Sequence, residues 1–172
     1  DKNMNFSPSL TARAEQLLAA CRGNKIKIAT AESCTGGLIA GCLTAVAGSS
    51  DVVERGFVTY SNEAKSEMLG VPAELIERVG AVSEEVSRAM AEGALEHSSA
   101  QLSIAVTGVA GPGGGTAEKP VGLVHLSCAR QGGTTLHERH VYEGDRDAVR
   151  RATVETALDM ALAAIKTETA VA

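Results

Sequence analysis

Residues 25–37 read KIKIATAESCTGG. Lys25 to Ala31 alternates, with Ile26, Ile28 and Thr30 on one face, so it reads as a strand. The segment from Glu32 to Gly37 then makes a tight turn, and Thr35 opens a helix of small residues to about Ala47, broken by Gly48-Ser49-Ser50-Asp51. Strand, turn and helix in direct succession are the opening of an α/β fold. In such sheets ligands settle where strands end and helices begin.

Outward from that unit, Leu10, Ala14, Leu17, Leu18 and Cys21 recur at helical spacing, and Gly23-Asn24 ends that helix. Gly56 to Tyr60 reads as a second strand. Ser61 or Asn62 caps a helix to Leu69, and a short helix ends near Gly80. Ser83 caps a longer helix to about Ser98, with Glu84 and Glu85 in the first turn, where the helix dipole favours acids.

Leu102 to Thr107 is a strand whose second face, Ser103, Ala105 and Thr107, is small enough for a helix to approach closely. Val121–Arg130 and Thr134–Tyr142 read as a hairpin around Gly132-Gly133. Asp145 to about Lys166 forms the last helix, with a stripe of Val154, Leu158, Ala161, Leu162 and Ile165. These elements predict a single three-layer α/β/α sandwich with a mixed sheet. Residues 1–9 are expected to be a disordered tail and 10–168 the domain.

The 172 residues carry 44% hydrophobic side chains, enough for a full core, but only two Phe, two Tyr and no Trp. The core must therefore be aliphatic. A net charge of −5 and the scarcity of aromatics argue against nucleic acid, which needs a basic surface or stacking platforms. Four cysteines without a C-x-x-C pair suit free thiols in a reducing cytoplasm. The polar start, Asp1 to Ser9, does not read as a signal peptide. No stretch approaches the ~20 apolar residues of a membrane helix.

Four segments can carry chemistry. In the 30–37 turn, Ser33 is placed as a nucleophile, and the N–H groups of Thr35, Gly36 and Gly37 lack intrahelical partners and can hold an oxyanion. The same residues also suit a plain helix cap. Cys34 is an alternative nucleophile or a small buried thiol.

A serine needs a base, and no His-Asp pair stands out, so Lys65 is the next candidate. The positions sharing its helix face, Ser61, Asn62, Met68 and Leu69, carry no acid to hold its charge. A surface lysine is the plain alternative. Tyr60 can relay or donate a proton.

The run Thr107-Gly108-Val109-Ala110-Gly111-Pro112-Gly113-Gly114-Gly115-Thr116 follows a strand and can cradle a phosphate, or simply form a flexible loop. Arg146, Arg150 and Arg151 can reach an anion, and Arg146 and Arg150 share a helix face, but for Arg150 and Arg151 a solvated face with local ion pairs is the plainer reading. No metal-ligand spacing appears among His97, His125, His137 and His140.

Taken together, TAESCTGG at 30–37, AGSS at 47–50, ERGFVTYSNEAK at 54–65, GAVSEEV at 80–86, TGVAGPGGGT at 107–116, EKPVG at 118–122 and GDRDAVR at 144–150 resemble the C-terminal domain of the competence/damage-inducible protein CinA and the stand-alone nicotinamide-nucleotide amidases. The matching stretches cover nearly the whole chain from about residue 10.

The resemblance implies hydrolysis of nicotinamide mononucleotide to nicotinate mononucleotide and ammonia, by a serine–lysine mechanism without metal or cofactor, in a homodimer or larger homo-oligomer. The family nucleophile matches Ser33, its lysine base Lys65 and its helper tyrosine Tyr60. Cys34, Thr35, Gly36, Gly37, Thr107, Gly108, Gly111, Gly113, Gly114 and Arg146 are the expected substrate contacts. Many relatives carry an acid where this chain has Gly113. Larger members carry an N-terminal domain, and this chain is expected to be the amidase alone. A non-catalytic phosphate-binding module, or an amidase for another small carboxamide, are the alternatives.

Overall fold

The structure is a computed structural model, and it describes residues 6–169. Five strands form one sheet in the order β2-β1-β3-β4-β5: β1 (Ile28–Glu32), β2 (Val53–Val58), β3 (Leu102–Gly108), β4 (Leu123–Arg130) and β5 (Leu136–Val141). β1 is parallel to both β2 and β3, while β3–β4 and β4–β5 pair antiparallel. Ile28 stands opposite Leu102 and Glu32 opposite Val106, so β1 and β3 end side by side. The mixed three-layer sandwich expected from the sequence is the observed fold.

Helices α1 (Pro8–Gly23), α2 (Leu38–Thr44) and α6 (Arg146–Thr169) cover one face. Their apolar stripes bury Ile28, Ile104, Val124, Leu126 and Cys128 of the sheet. Helices α3 (Asn62–Leu69), α4 (Ala73–Val79) and α5 (Glu84–Glu96) lie on the other face, over Ala31, Phe57, Ala105 and Ala129. Period-two alternation thus assigns each strand residue to a layer. Because β1 and β3 are covered on both faces, all of β1 is buried, as is β3 up to Thr107. The small face of β3 does admit α5 closely: Ser103 Oγ donates to Ala91 O at 2.6 Å, and on the neighbouring β4 the Ser127 hydroxyl meets that of Ser87 at 2.7 Å.

Several caps fall where the side-chain chemistry put them. Ser61 Oγ accepts from Ala64 N–H, Ser83 Oγ from Val86 N–H, and Asp145 Oδ1 from Ala148 N–H. Several boundaries differ from expectation. β1 starts at Ile28 rather than Lys25, whose φ of 55° is left-handed and holds it out of the strand. α2 starts at Leu38 rather than Thr35, because Gly36 (φ 59°) and Gly37 (φ 108°) are left-handed and hold the chain out of helical register. β2 runs from Val53 to Val58, leaving Thr59 and Tyr60 in the connection to α3. The expected tail over 1–9 is shortened: Ser7 Oγ caps α1 through Leu10 N–H, Pro8 sits at its first turn, and Phe6 packs on the core. Residues 1–5 lie outside the described part. Among the described residues, no helix is long and apolar enough to cross a membrane.

Candidate active site

Ser33 is the first residue beyond β1, and its N–H still pairs with β3, donating to Val106 O at 3.1 Å. Alternation continues from Ala31, so the Ser33 side chain faces the α3–α5 layer. Gly36 N–H donates back to Ser33 O at 3.0 Å, which closes a β-turn with Cys34 and Thr35 at its centre. From the α2 side the turn is held by Glu32, a fully buried carboxylate. It accepts from Thr35 Oγ1, Ile39 N–H and Ala40 N–H. Burial raises its pKa, and those donors pull it back down.

Thr59 N–H donates to Glu32 O at 2.9 Å, which ties the β2–α3 connection to the end of β1. Ser61 then starts α3, and one turn later Lys65 points back under the connection. Its side chain is among the largest fully buried in the protein, with 1% exposure. The Lys65 Nζ donates to Ser33 Oγ at 3.2 Å and to Thr59 O at 3.0 Å, with Ser61 O at 3.5 Å. Burial lowers its pKa below the ordinary lysine value. A desolvated amine against a serine hydroxyl is the arrangement in which a lysine can accept a proton.

Cys34, the alternative nucleophile, is a buried thiol. Burial pushes its pKa up to about 11, and the Glu32 carboxylate pushes the same way. The nucleophilic thiolate is therefore scarce at neutral pH.

A cavity of about 310 Å³ opens over this pair, lined among others by Ser33, Tyr60, Lys65, Thr107, Gly111 and Arg146. Of the expected substrate contacts, Cys34, Gly108, Gly113 and Gly114 also line it, whereas Thr35, Gly36 and Gly37 do not. Thr107 is buried, and its hydroxyl donates to Ala81 O. Gly108 is required by packing, since a Cβ there would lie 2.7 Å from Leu123 O. At Gly113 a Cβ would meet nothing within 4 Å, so an acidic side chain would fit there.

Arg146 spans the mouth: Nη1 donates to Gly111 O at 2.8 Å and Nη2 to Tyr60 Oη at 3.1 Å. Tyr60 is 61% exposed, and the hydrogen bond it makes is with Arg146 rather than with Ser33 or Lys65.

Two elements of the site escaped the sequence reading. Glu32 is one. Arg150 is the other: expected on a solvated face, it is half-buried and donates through Nε to Cys34 O at 3.2 Å and through Nη2 to Thr35 O at 3.3 Å. The only sequence signal for it is its spacing from Arg146, one turn earlier on the same face of α6.

Residues 10–165 match the family model described as the CinA C-terminal domain. The chain belongs to that family. It is 57% identical over 133 residues to a CinA-like protein of Akkermansia muciniphila, covering 77% of this chain and 32% of that protein. Against a CinA-like protein of Citrifermentans bemidjiense it is 55% identical over 145 residues, covering 84% and 35%. The chain thus spans about a third of the length of these curated relatives. The crystal structure of the competence/damage-inducible protein CihA from Agrobacterium tumefaciens superimposes with a TM-score of 0.91 at 50% identity, covering 94% of this chain and 98% of that one. A CinA-superfamily protein from Klebsiella pneumoniae gives 0.88 at 32% identity, covering 92% and 98%.

Proposed function

We propose that this CinA-family domain is an amidohydrolase that converts nicotinamide mononucleotide to nicotinate mononucleotide and ammonia. The observation that carries the chemistry is the buried Lys65 Nζ at 3.2 Å from Ser33 Oγ, beneath an open cavity. The nucleotide substrate is carried by the resemblance of the seven motifs.

In this reading neutral Lys65 takes the Ser33 proton as Oγ attacks the carboxamide carbon. The carbonyl oxygen becomes an oxyanion held by backbone N–H groups of the turn. Of these, Ser33 N–H is committed to Val106 O, Gly36 N–H to Ser33 O and Gly37 N–H to the Glu32 carboxylate, which leaves Cys34 and Thr35 as donors. The C–N bond breaks as the Lys65 ammonium protonates the leaving nitrogen, releasing ammonia. Water, deprotonated by Lys65, then opens the acyl-enzyme and regenerates Ser33.

The loop 107–116 and Arg146 take the ribose phosphate at the mouth, and Tyr60 steadies Arg146 there. No metal enters the sequence of steps. The domain works in the cytoplasm as a homodimer or larger homo-oligomer.

The test is ammonia release from nicotinamide mononucleotide by the wild type, Ser33→Ala and Lys65→Ala, without added metal. Turnover by the wild type alone supports the assignment. Binding without ammonia release, by protein shown to be folded, would leave a phosphate-binding module. Turnover of an unphosphorylated carboxamide instead would move the substrate.

A further inference from the structure

The turn that carries Ser33 has one peptide unit that its own hydrogen bond does not fix. Gly36 N–H to Ser33 O closes the turn at its ends. The central unit, Cys34 C=O to Thr35 N–H, is the one whose orientation separates type I from type II turns, and reversing it exchanges the directions of the two groups. In a trans peptide the C=O and N–H point opposite ways. Whatever holds the Cys34 carbonyl therefore aims the Thr35 N–H.

Arg150 holds it. Its Nε donates to Cys34 O at 3.2 Å and its Nη2 to Thr35 O at 3.3 Å. The guanidinium is planar and spans two acceptors in a fixed fork, which a lysine cannot do. It reaches the turn from α6, in the helix layer opposite the one that holds Lys65. It borders a separate cavity with Phe6, Leu10, Leu38 and Val154, and is absent from the lining of the Ser33 cavity. With both carbonyls drawn toward α6, the Thr35 N–H is turned toward the face that carries Ser33 Oγ.

We infer that Arg150 is a positioning residue: from behind the turn, it locks the central peptide so that Thr35 N–H stays a donor to the oxyanion formed at Ser33. This rests on the amidase reading above. The arginine touches no substrate. It acts by keeping one backbone donor preorganised, and its positive charge on the carbonyl side polarises that peptide in the same sense. Full reversal is already disfavoured, because Thr35 is β-branched and would have to take a positive φ; what Arg150 adds is a fixed tilt of the central peptide, and without it the donor is aimed less sharply.

The experiment compares wild type with Arg150→Ala and Arg150→Lys by two readouts. One is steady-state turnover of nicotinamide mononucleotide. The other is the rate at which a small fluorophosphonate modifies Ser33, followed by intact mass, which needs the nucleophile and the oxyanion donors but no nucleotide site. Folding is checked by thermal melting, and if Arg150→Ala fails to fold, Arg150→Gln replaces it.

The expected result is a kcat lowered about 100-fold in Arg150→Ala, the size of losing one oxyanion donor, with KM changed less than about threefold. Ser33 modification slows in parallel, and added guanidinium restores part of both. Arg150→Lys falls in between. The inference is overturned if a folded variant keeps kcat and labelling within about threefold of wild type, or if the loss sits in KM alone. Labelling without nucleotide turnover in the wild type would discard the proposed substrate and leave the labelling comparison to decide on Arg150. A wild type that neither turns over nor labels would remove the amidase reading and this inference with it.

Discussion

Lys65 Nζ lies 3.2 Å from Ser33 Oγ, although the two residues are 32 positions apart and come from different elements. Two further acceptors, Thr59 O and Ser61 O, surround the same nitrogen, and what acts on its charge is chiefly burial. The geometry favours an amine that gives up its proton readily and is held with its lone pair free to face the serine. Its helix supplies no carboxylate to oppose this, since Ser61, Asn62, Met68 and Leu69 share its face.

The first prediction is a pH profile. Only the neutral amine acts as base, so kcat/KM for the amide should rise with pH and level off above the folded pKa of Lys65. Burial lowers that pKa, so the inflection should fall below the ordinary lysine value of about 10.4. It should be absent from the pH dependence of nucleotide binding by Ser33→Ala. An activity that is flat across the alkaline range, or that falls as Lys65 deprotonates, would remove the lysine from the role of base.

Stability gives the second. A group held below its usual pKa binds its proton more weakly in the folded chain than in the unfolded one. The full penalty is present below the folded pKa, and it fades as pH rises to the unfolded value. Lys65→Met fills the same space without a charge, keeps the backbone bond from residue 65 to Ser61 O, and takes the ammonium donor away from Thr59 O and Ser33 Oγ. It should abolish turnover and raise Tm at neutral pH by roughly 2–4 °C, equivalent to about 1 kcal/mol in a chain of this size. Calorimetry across pH should show the gain shrinking toward pH ~10 to 11. A gain that grows with pH would contradict the linkage.

How far the sequence reached follows from how local each feature is. Caps at Ser61, Ser83 and Asp145 bond three residues away, so their chemistry was readable in place. The small face of β3 predicted the close approach of α5 because alternation within one strand decides it. The meeting of Ser33 and Lys65 is not derivable from spacing: Lys65 stands as a candidate base by elimination, beside the plain surface-lysine alternative, and the resemblance joins it to Ser33. Arg150 was misplaced because its partners lie 116 and 115 residues away, and an arginine in a helical charge run looks solvated until the tertiary fold brings a carbonyl to it. Glu32 was passed over for a related reason: a carboxylate before a turn looks exposed, yet here it sits on the same strand face as Ile28 and Thr30, under α2. Both misses are charged groups whose partners, apart from the Thr35 hydroxyl on Glu32, are backbone atoms, which carry no sequence signature.

The third prediction separates two roles for Tyr60. A relay would need its hydroxyl near the reacting pair, but its partner is Arg146, at 3.1 Å, at an exposed mouth. Tyr60→Phe should therefore raise KM for nicotinamide mononucleotide several-fold while kcat changes less than about fivefold. Arg146→Ala should raise KM by about 10-fold or more for the phosphorylated substrate, with little change for the unphosphorylated nucleoside. A kcat loss near 100-fold in Tyr60→Phe would restore the tyrosine to proton transfer.

The last prediction concerns how the lysine is held in place. α3 carries Lys65 and ends at Leu69, and there it packs directly on α5 at Gly93, a buried helical glycine. A Cβ at Gly93 would lie 2.0 Å from Leu69 O and 2.9 Å from Leu69 C, both backbone atoms that cannot rotate away. Ordinary propensity favours alanine over glycine inside a helix by about 1 kcal/mol, which would make Gly93→Ala stabilising if space allowed. The clash reverses the sign, because α3 must move bodily by more than an ångström to relieve it. Overpacking of this kind costs about 1–3 kcal/mol. The same shift draws Lys65 away from Ser33 on a contact already at 3.2 Å. Gly93→Ala should accordingly lower both Tm and kcat, although residue 93 lies outside the cavity lining. Unchanged melting together with unchanged turnover would mean that the α3–α5 contact does not fix the position of the base.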